Sequence, residues 1–239
     1  MKRYLISFDD TDNLQTLGTG HVLDRFLHAM PYEFSYITRH QLFVNELVPY
    51  TSHNSSMCSE LCGEIAMSEL VELAGRFLEA ESAEGSDPGL CVADLDGITE
   101  RDLLIDWGRR AKKEVLNKQD AYELAQRCSV HLSEHGGDGQ GVVGALAGVG
   151  LRLFGNDGRV RGKAPMDLGP TTVDELLAKT GFAQVFDMDG IILPGSSIIE
   201  VTEPKVKAIY RDSKQTVPVS REGNGFRTLS KEEIRALWD

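Results

Sequence analysis

Four cysteines and two tryptophans are all that the 239 residues contain of either type. A chain this long can bury a core without staples. Cys58, Cys62, Cys91 and Cys128 therefore fit a reducing, cytoplasmic setting better than a disulfide framework. Long apolar runs are missing too. No window approaches the roughly 18 uninterrupted apolar residues of a membrane span. The basic start, "MKRYLISFDD", meets acid before any apolar stretch, so no secretory signal is expected. Basic residues are scarce, with 25 Lys and Arg against 37 Asp and Glu, a formal charge of −12. That balance argues against strong non-specific binding to long nucleic acids, which needs cations to neutralise phosphates. It leaves room for a local basic patch or for a small phosphorylated ligand carried with Mg²⁺. The "WGRRAKK" run, Trp107 to Lys113, suits the solvated face of a helix.

What is present alternates between helical and strand-like segments, which predicts an α/β (α+β) fold: a mixed sheet with flanking helices. Strands are expected at Lys2 to Ser7, Tyr32 to Val44, "MCSELCGEIA" and "LCVADL". Helices are expected at "HVLDRFLHAM", "MSELVELAGRFLEAES", "ITERDLLIDWGRRAKKEVL", "KQDAYELAQRCSVHLSEH" and "VVGALAGVGLRLF". "TTVDELLAKTG" carries a Thr N-cap and a glycine stop, and "SKEEIRALW" opens with a Ser–x–x–Glu capping box. Short strands fill the space between these last two helices. The punctuated "KAPMDLGPT" suggests a boundary between a nucleotide-binding region, residues 1–165, and a small β-rich extension, residues 172–239.

Three segments could carry chemistry. In "FDDTDN", Asp9, Asp10 and Asp12 crowd the end of the first strand, where like charges must stay hydrated or find a cation. Side chains on successive strand residues point to opposite faces, so Asp9 and Asp10 can face one ion only if the strand has already turned. Thr11 and Asn13 supply turn chemistry. Clustered carboxylates suit Mg²⁺, which takes one or two of them together with waters and phosphates. The bland alternative is a solvated turn that caps the next helix. In "GGDGQGVVGALAGVG", Gly139 and Gly141 could let backbone N–H groups cradle phosphate at a helix start, with Gly144 allowing close packing. The segment is neither a Walker A loop nor a dinucleotide fingerprint, and a glycine-rich linker explains it nearly as well. In "VPYTSHNSS", His53 and Asn54 could orient a ribose or an acceptor, although on its own the segment suits an ordinary polar loop better.

Taken together, "FDDTDN", "LGTGH", "NELVPYTSHNS" and "GQGVVGALAGVG" resemble, in order and spacing over residues 1–160, the N-terminal half of the archaeal tRNA(Ile) agmatinylcytidine synthetase family. The resemblance implies an ATP- and Mg²⁺-dependent kinase-like domain with a ferredoxin-like companion, in a family that phosphorylates a tRNA cytidine. It would put Asp9, Asp10 and Asp12 on the metal and triphosphate, with Thr11, Gly18, Thr19, Asn54, Gly139, Gly141 and Gly144 around the nucleotide. Where the family has threonines opening the first helix, this chain reads Gly20-His21-Val22, with Thr19 beside them. Where the family has a Lys–Thr–Arg–Gly–Asn turn, Tyr50 to Asn54 carries no basic residue. A small-molecule nucleotide is thus the expected partner. The resemblance implies an RNA acceptor, and the acidic charge argues against one.

The expectation is a phosphoryl or nucleotidyl transferase, with His53 as a candidate base. Two rivals stand beside it. One is a binding module that keeps the fold without turnover. The other is a metal hydrolase on His131, His135 and Asp138, since residues four apart on a helix share a face. Cys58 and Cys62, spaced C-x₃-C, could contribute to a zinc site but suit buried core thiols better.

Overall fold

The computed structural model describes residues 1–48, 54–223 and 225–237. The chain divides into two compact units, Met1–Phe154 and Gly155–Asp239. The division falls ahead of the punctuated "KAPMDLGPT" stretch, which is taken up by short strands of the second unit.

In the first unit, the chain runs β1 (Lys2–Asp9), α1 (Thr19–Ala29), β2 (Glu33–Phe34), β3 (Thr38–Gln41), β4 (Ser55–Gly63), α2 (Met67–Glu81), β5 (Gly89–Asp94), α3 (Arg101–Arg110), α4 (Lys118–Cys128), β6 (His131–Glu134) and α5 (Gly141–Phe154). The sheet order is β6-β5-β1-β4-β3, antiparallel at the described pairs β6–β5, β5–β1, β1–β4 and β4–β3. From β1 to β5 this is the ferredoxin-like β-α-β-β-α-β arrangement.

Period-two alternation sorts β1 between two layers. Tyr4, Ile6 and Phe8 join the core under α1 and α2, while Leu5 faces the cluster built on α3, α4 and α5. The Phe8, Phe26 and Phe77 rings link sheet, α1 and α2, with centroids 5.6 and 5.3 Å apart. A buried side chain such as Phe8 or Phe26 contributes about 1.5–3 kcal/mol of transfer free energy. On the opposite face α5 is apolar except for Arg152 and buried along almost its whole length, as expected of a helix enclosed by protein.

Two expectations change. The predicted strand over 32–44 is broken into β2 and β3. Phe34 pairs with Leu61 and Thr38 with Cys58, so three residues of one strand oppose two of the other, a β-bulge. The predicted helix over 118–135 stops at Cys128, because Ser129 turns left-handed (φ 60°) and its N–H bonds back to Ala125 and Gln126. The chain then emerges as β6 and pairs with β5, so His131 and His135 stand beside a sheet edge instead of on a helix.

The second unit contains β7 (Arg159–Val160), β8 (Ala164–Pro165), β9 (Gly169–Thr172), α6 (Val173–Thr180), β10 (Gln184–Asp187), β11 (Ile198–Val201), β12 (Lys205–Val206), β13 (Ile209–Arg211), β14 (Lys214–Glu222), β15 (Gly225–Thr228) and α7 (Lys231–Ala236). Its mixed sheet runs β7-β13-β14-β15-β11-β9, with β10 also on β14 and a separate β8–β12 ladder. α7 opens with the capping box predicted for it, Ser230 with Glu233, and the Thr172 cap predicted for α6 proves to be a capping box as well, with Glu175.

Candidate functional site

β1 ends at Asp9, and Asp10 leaves it in left-handed backbone, φ 52°. The chain has thus turned by Asp10, and for a non-glycine residue this is an uncommon conformation. Asp9 is 8% exposed and points at α5. A Cβ on Gly144 would fall inside its carboxylate, and one on Gly141 would meet the Asp9 carbonyl and the Asp87 carbonyl. The start of β5 is pressed as closely, since a Cβ on Gly89 would collide with the Gly141 backbone. The small residues at the head of α5 are therefore explained by close approach of backbone and carboxylate. Asp9, Gly141 and Gly144, distant in sequence, are brought together.

Asp87 joins them, and sequence reasoning missed it. Its backbone carbonyl accepts from Gly141 N at 3.1 Å, and its carboxylate accepts from the Asp138 N–H. The available signal was an acid in the "SDPG" turn just before a strand. Burial pushes the Asp9 carboxyl well above the carboxylate range, and Asp10 and Asp12 add repulsion, opposed only by an Asp10 backbone hydrogen bond. Asp10 is pushed up to about 6, chiefly by burial and then by Asp87 and Asp12, against an Asp87 backbone hydrogen bond.

Asp12 turns towards α1. Its Oδ1 accepts from Thr19 N at 3.2 Å and from Thr19 Oγ1 at 2.9 Å, which caps a helix whose own N-cap, Gly18, has no side chain to offer. Thr11 N donates to Thr19 Oγ1 at 3.3 Å, and the Thr11 hydroxyl is buried with no hydrogen-bond partner among the described residues. The three aspartates thus diverge: Asp9 to α5, Asp10 towards Asp87, Asp12 to α1. Among the described residues, no three His, Cys, Asp or Glu side chains are grouped as metal ligands.

The remaining candidates are placed as follows. Gly139 (φ 71°) lies against the Glu134 carboxylate, which is itself held by Lys118 and Tyr122, so its neighbour is a structural ion pair. Asn54 Nδ2 donates to the Phe43 carbonyl at 2.7 Å, fastening the approach to β4. His53 lies outside the described residues. His131 and His135 share a face of β6, while Asp138 is engaged through its backbone with Asp87 and Lys118. All four cysteines are free thiols. Cys58, Cys91 and Cys128 are buried in one core cluster, and burial pushes Cys58 up to about 12, which favours the thiol over a metal-binding thiolate.

The chemistry of the donors fits Mg²⁺. Carboxylates that burial and then mutual repulsion keep protonated, and an orphaned hydroxyl, are what a hard cation would satisfy.

The sequence matches no family model and no curated protein. Solved structures do match. A complex of TiaS with an isoleucine tRNA and ATP is 17% identical with a TM-score of 0.54, over 95% of this chain and 59% of that one. Apo TiaS, a tRNA agmatidine synthetase, is 16% identical with a TM-score of 0.52, over 81% and 49%. A tRNA fluorescent labeling enzyme is 18% identical with a TM-score of 0.53, over 94% and 58%. The shared property is the fold. This chain spans about three-fifths or less of the length of these structures. No helix among the described residues is long and apolar enough to cross a membrane.

Proposed function

We propose that the first unit binds ATP with Mg²⁺ and that the protein is a phosphoryl or nucleotidyl transferase. The observation that carries this is the seating of the Asp9 carboxylate on Gly144, at the head of a helix whose first residue, Gly141, touches both the Asp9 and the Asp87 backbone. Phosphoryl transfer asks a protein chiefly for positioning and for neutralisation of charge. Asp10 and Asp87 would offer carboxylates to a cation carried on the phosphates. Mg²⁺, when bound, supplies charge neutralisation on the phosphates. Thr19, cradled between Asp12 and Thr11, positions α1 beside them. The solved structures with this fold include complexes with ATP and AMPCPP, which supports the nucleotide.

The acceptor is read from charge. Twelve of the 25 basic and 13 of the 37 acidic residues fall in residues 155–239, leaving that unit at −1 and the first at −11. Within it Lys163, Arg159 and Lys231 all help to push the Lys207 ammonium down, after burial, so several cations are gathered there. A phosphate-rich acceptor such as RNA suits that cluster, in the way the TiaS–tRNA–ATP complex pairs this fold with tRNA. The second reading, a nucleotide-binding module without turnover, is favoured by the commitment of Asp12 to Thr19.

Thermal melts with ATP, Mg²⁺ and both together test the binding. A ligand at a hundred times its Kd stabilises by about 2.7 kcal/mol. The melting temperature should rise with the pair and not with ATP in EDTA, and Asp10→Asn should abolish the rise. Release of ADP from ATP then marks phosphoryl transfer and release of pyrophosphate nucleotidyl transfer, while binding without either product identifies the module.

A further inference from the structure

A chain of hydrogen bonds crosses the face of β6 outside the site described above. Ser133 Oγ lies 2.8 Å from His135 Nε2, and His135 Nδ1 lies 3.2 Å from Glu79 Oε1 on α2. His131 Nε2 is also 2.8 Å from the same Oγ. His131 and Ser133 share a face of β6 because alternate strand positions do, and His135 follows directly after the strand on the same side.

The protons in this chain can be assigned from one end. An ionised carboxylate only accepts, so Glu79 fixes the proton of His135 on Nδ1. Nε2 is then bare and accepts the Ser133 hydroxyl proton, and His131 donates its Nε2–H to Oγ. The serine proton is therefore aimed at a base that a carboxylate orients, the relation on which nucleophilic serines depend. The placement is built. α2 carries Gly75 in its interior, where glycine is destabilising relative to alanine. A Cβ at that position would lie 2.6 Å from His135 Cε1, so the glycine, one turn before Glu79, admits the ring and lets Nδ1 reach that carboxylate. The imidazole side chain is only 10% exposed, while Ser133 is half-buried on the outermost strand of the sheet.

We infer that Ser133, His135 and Glu79 form a second reactive centre, with Ser133 a nucleophile towards small activated acyl esters. In the first step Oγ bonds to the ester carbonyl carbon, its proton passes to His135 Nε2, and the ester C–O bond breaks as the alcohol leaves with that proton. Water, deprotonated by His135, then attacks the acyl-serine, releases the carboxylic acid and restores the hydroxyl. Glu79 is a positioning residue that acts through His135.

A fluorophosphonate probe reads the first step on the full chain, because Oγ–P forms, P–F breaks and fluoride leaves. Peptide mass mapping should place the adduct on Ser133, and Ser133→Ala should lose it. His135→Asn should slow labelling about a hundredfold, the scale of general-base assistance. Glu79 is largely exposed, so Glu79→Gln keeps the fold. It should slow labelling at least tenfold, with Glu79→Asp restoring most of the rate. An unlabelled Ser133, or a Glu79→Gln rate within threefold of the unaltered protein, overturns the proposal.

Discussion

A carboxylate that leaves a strand in left-handed backbone, beside two other acids, has lost hydration without gaining a partner of opposite charge. Asp10 is in that position, and its carboxyl is pushed up to about 6. A group whose folded pKa lies above its unfolded value near 3.8 stabilises the protein fully below that value. The contribution is lost as pH rises through about 6. Cation-free protein should thus lose stability between about pH 4 and pH 7. Asp10→Asn should remove part of that slope and raise stability at pH 7 by on the order of 1–2 kcal/mol, a figure discounted for partial exposure. Melting curves of both proteins in EDTA across that range are the check, and parallel curves would count against the assignment. The first two aspartates were legible in the sequence because three acids in four residues are costly anywhere. Asp87 was not, because an Asp before Pro in a turn is ordinary chemistry until a second segment is known to lie against it.

At the scale of the element, α5 is the piece everything else is fitted to. Its small-residue face admits the Asp9 carboxylate at Gly144 and the Ser7 and Ser56 hydroxyls at Gly148. Overpacking of such a site costs typically about 1–3 kcal/mol. Gly144→Ala should displace the Asp9 carboxylate, destabilise the protein on that scale and abolish the Mg²⁺-dependent nucleotide effect. Gly148→Ala should destabilise similarly while leaving nucleotide binding within a few fold. Urea melts paired with nucleotide titration separate the two, and equal loss of binding in both would mean that Gly144 has no special role. The helix itself was readable from its apolar content. The turn of α4 into β6 was not, because Ser129 in left-handed backbone is a single-residue event that helical periodicity does not register. With that turn, the two histidines expected on one helical face came to stand within β6 and just after it, both meeting the hydroxyl of Ser133.

Over the whole molecule, the acidic total conceals a partition. Net charge argued against nucleic acid, yet most of the excess acid lies in the first unit, and the second gathers Lys163, Lys207, Arg159 and Lys231. The total cannot report this, because it averages over the two units. If the second unit holds an RNA acceptor, the Lys163→Ala, Lys207→Ala double variant should bind a short single-stranded RNA more weakly. Its log Kd against log salt slope should be shallower by about 1.4, two contacts at about 0.7 each. Fluorescence anisotropy at several salt concentrations checks this, and an unchanged slope would place the acceptor elsewhere.

The most direct measurement of the central claim is calorimetric titration of Mg²⁺–ATP into the protein at pH 6, in two buffers of different ionisation enthalpy. A cation seated among carboxylates that hold protons must expel them, so the observed heat should differ between buffers. The difference should shrink in Asp10→Asn. Binding whose heat is the same in both buffers, or no binding at all, would contradict the account.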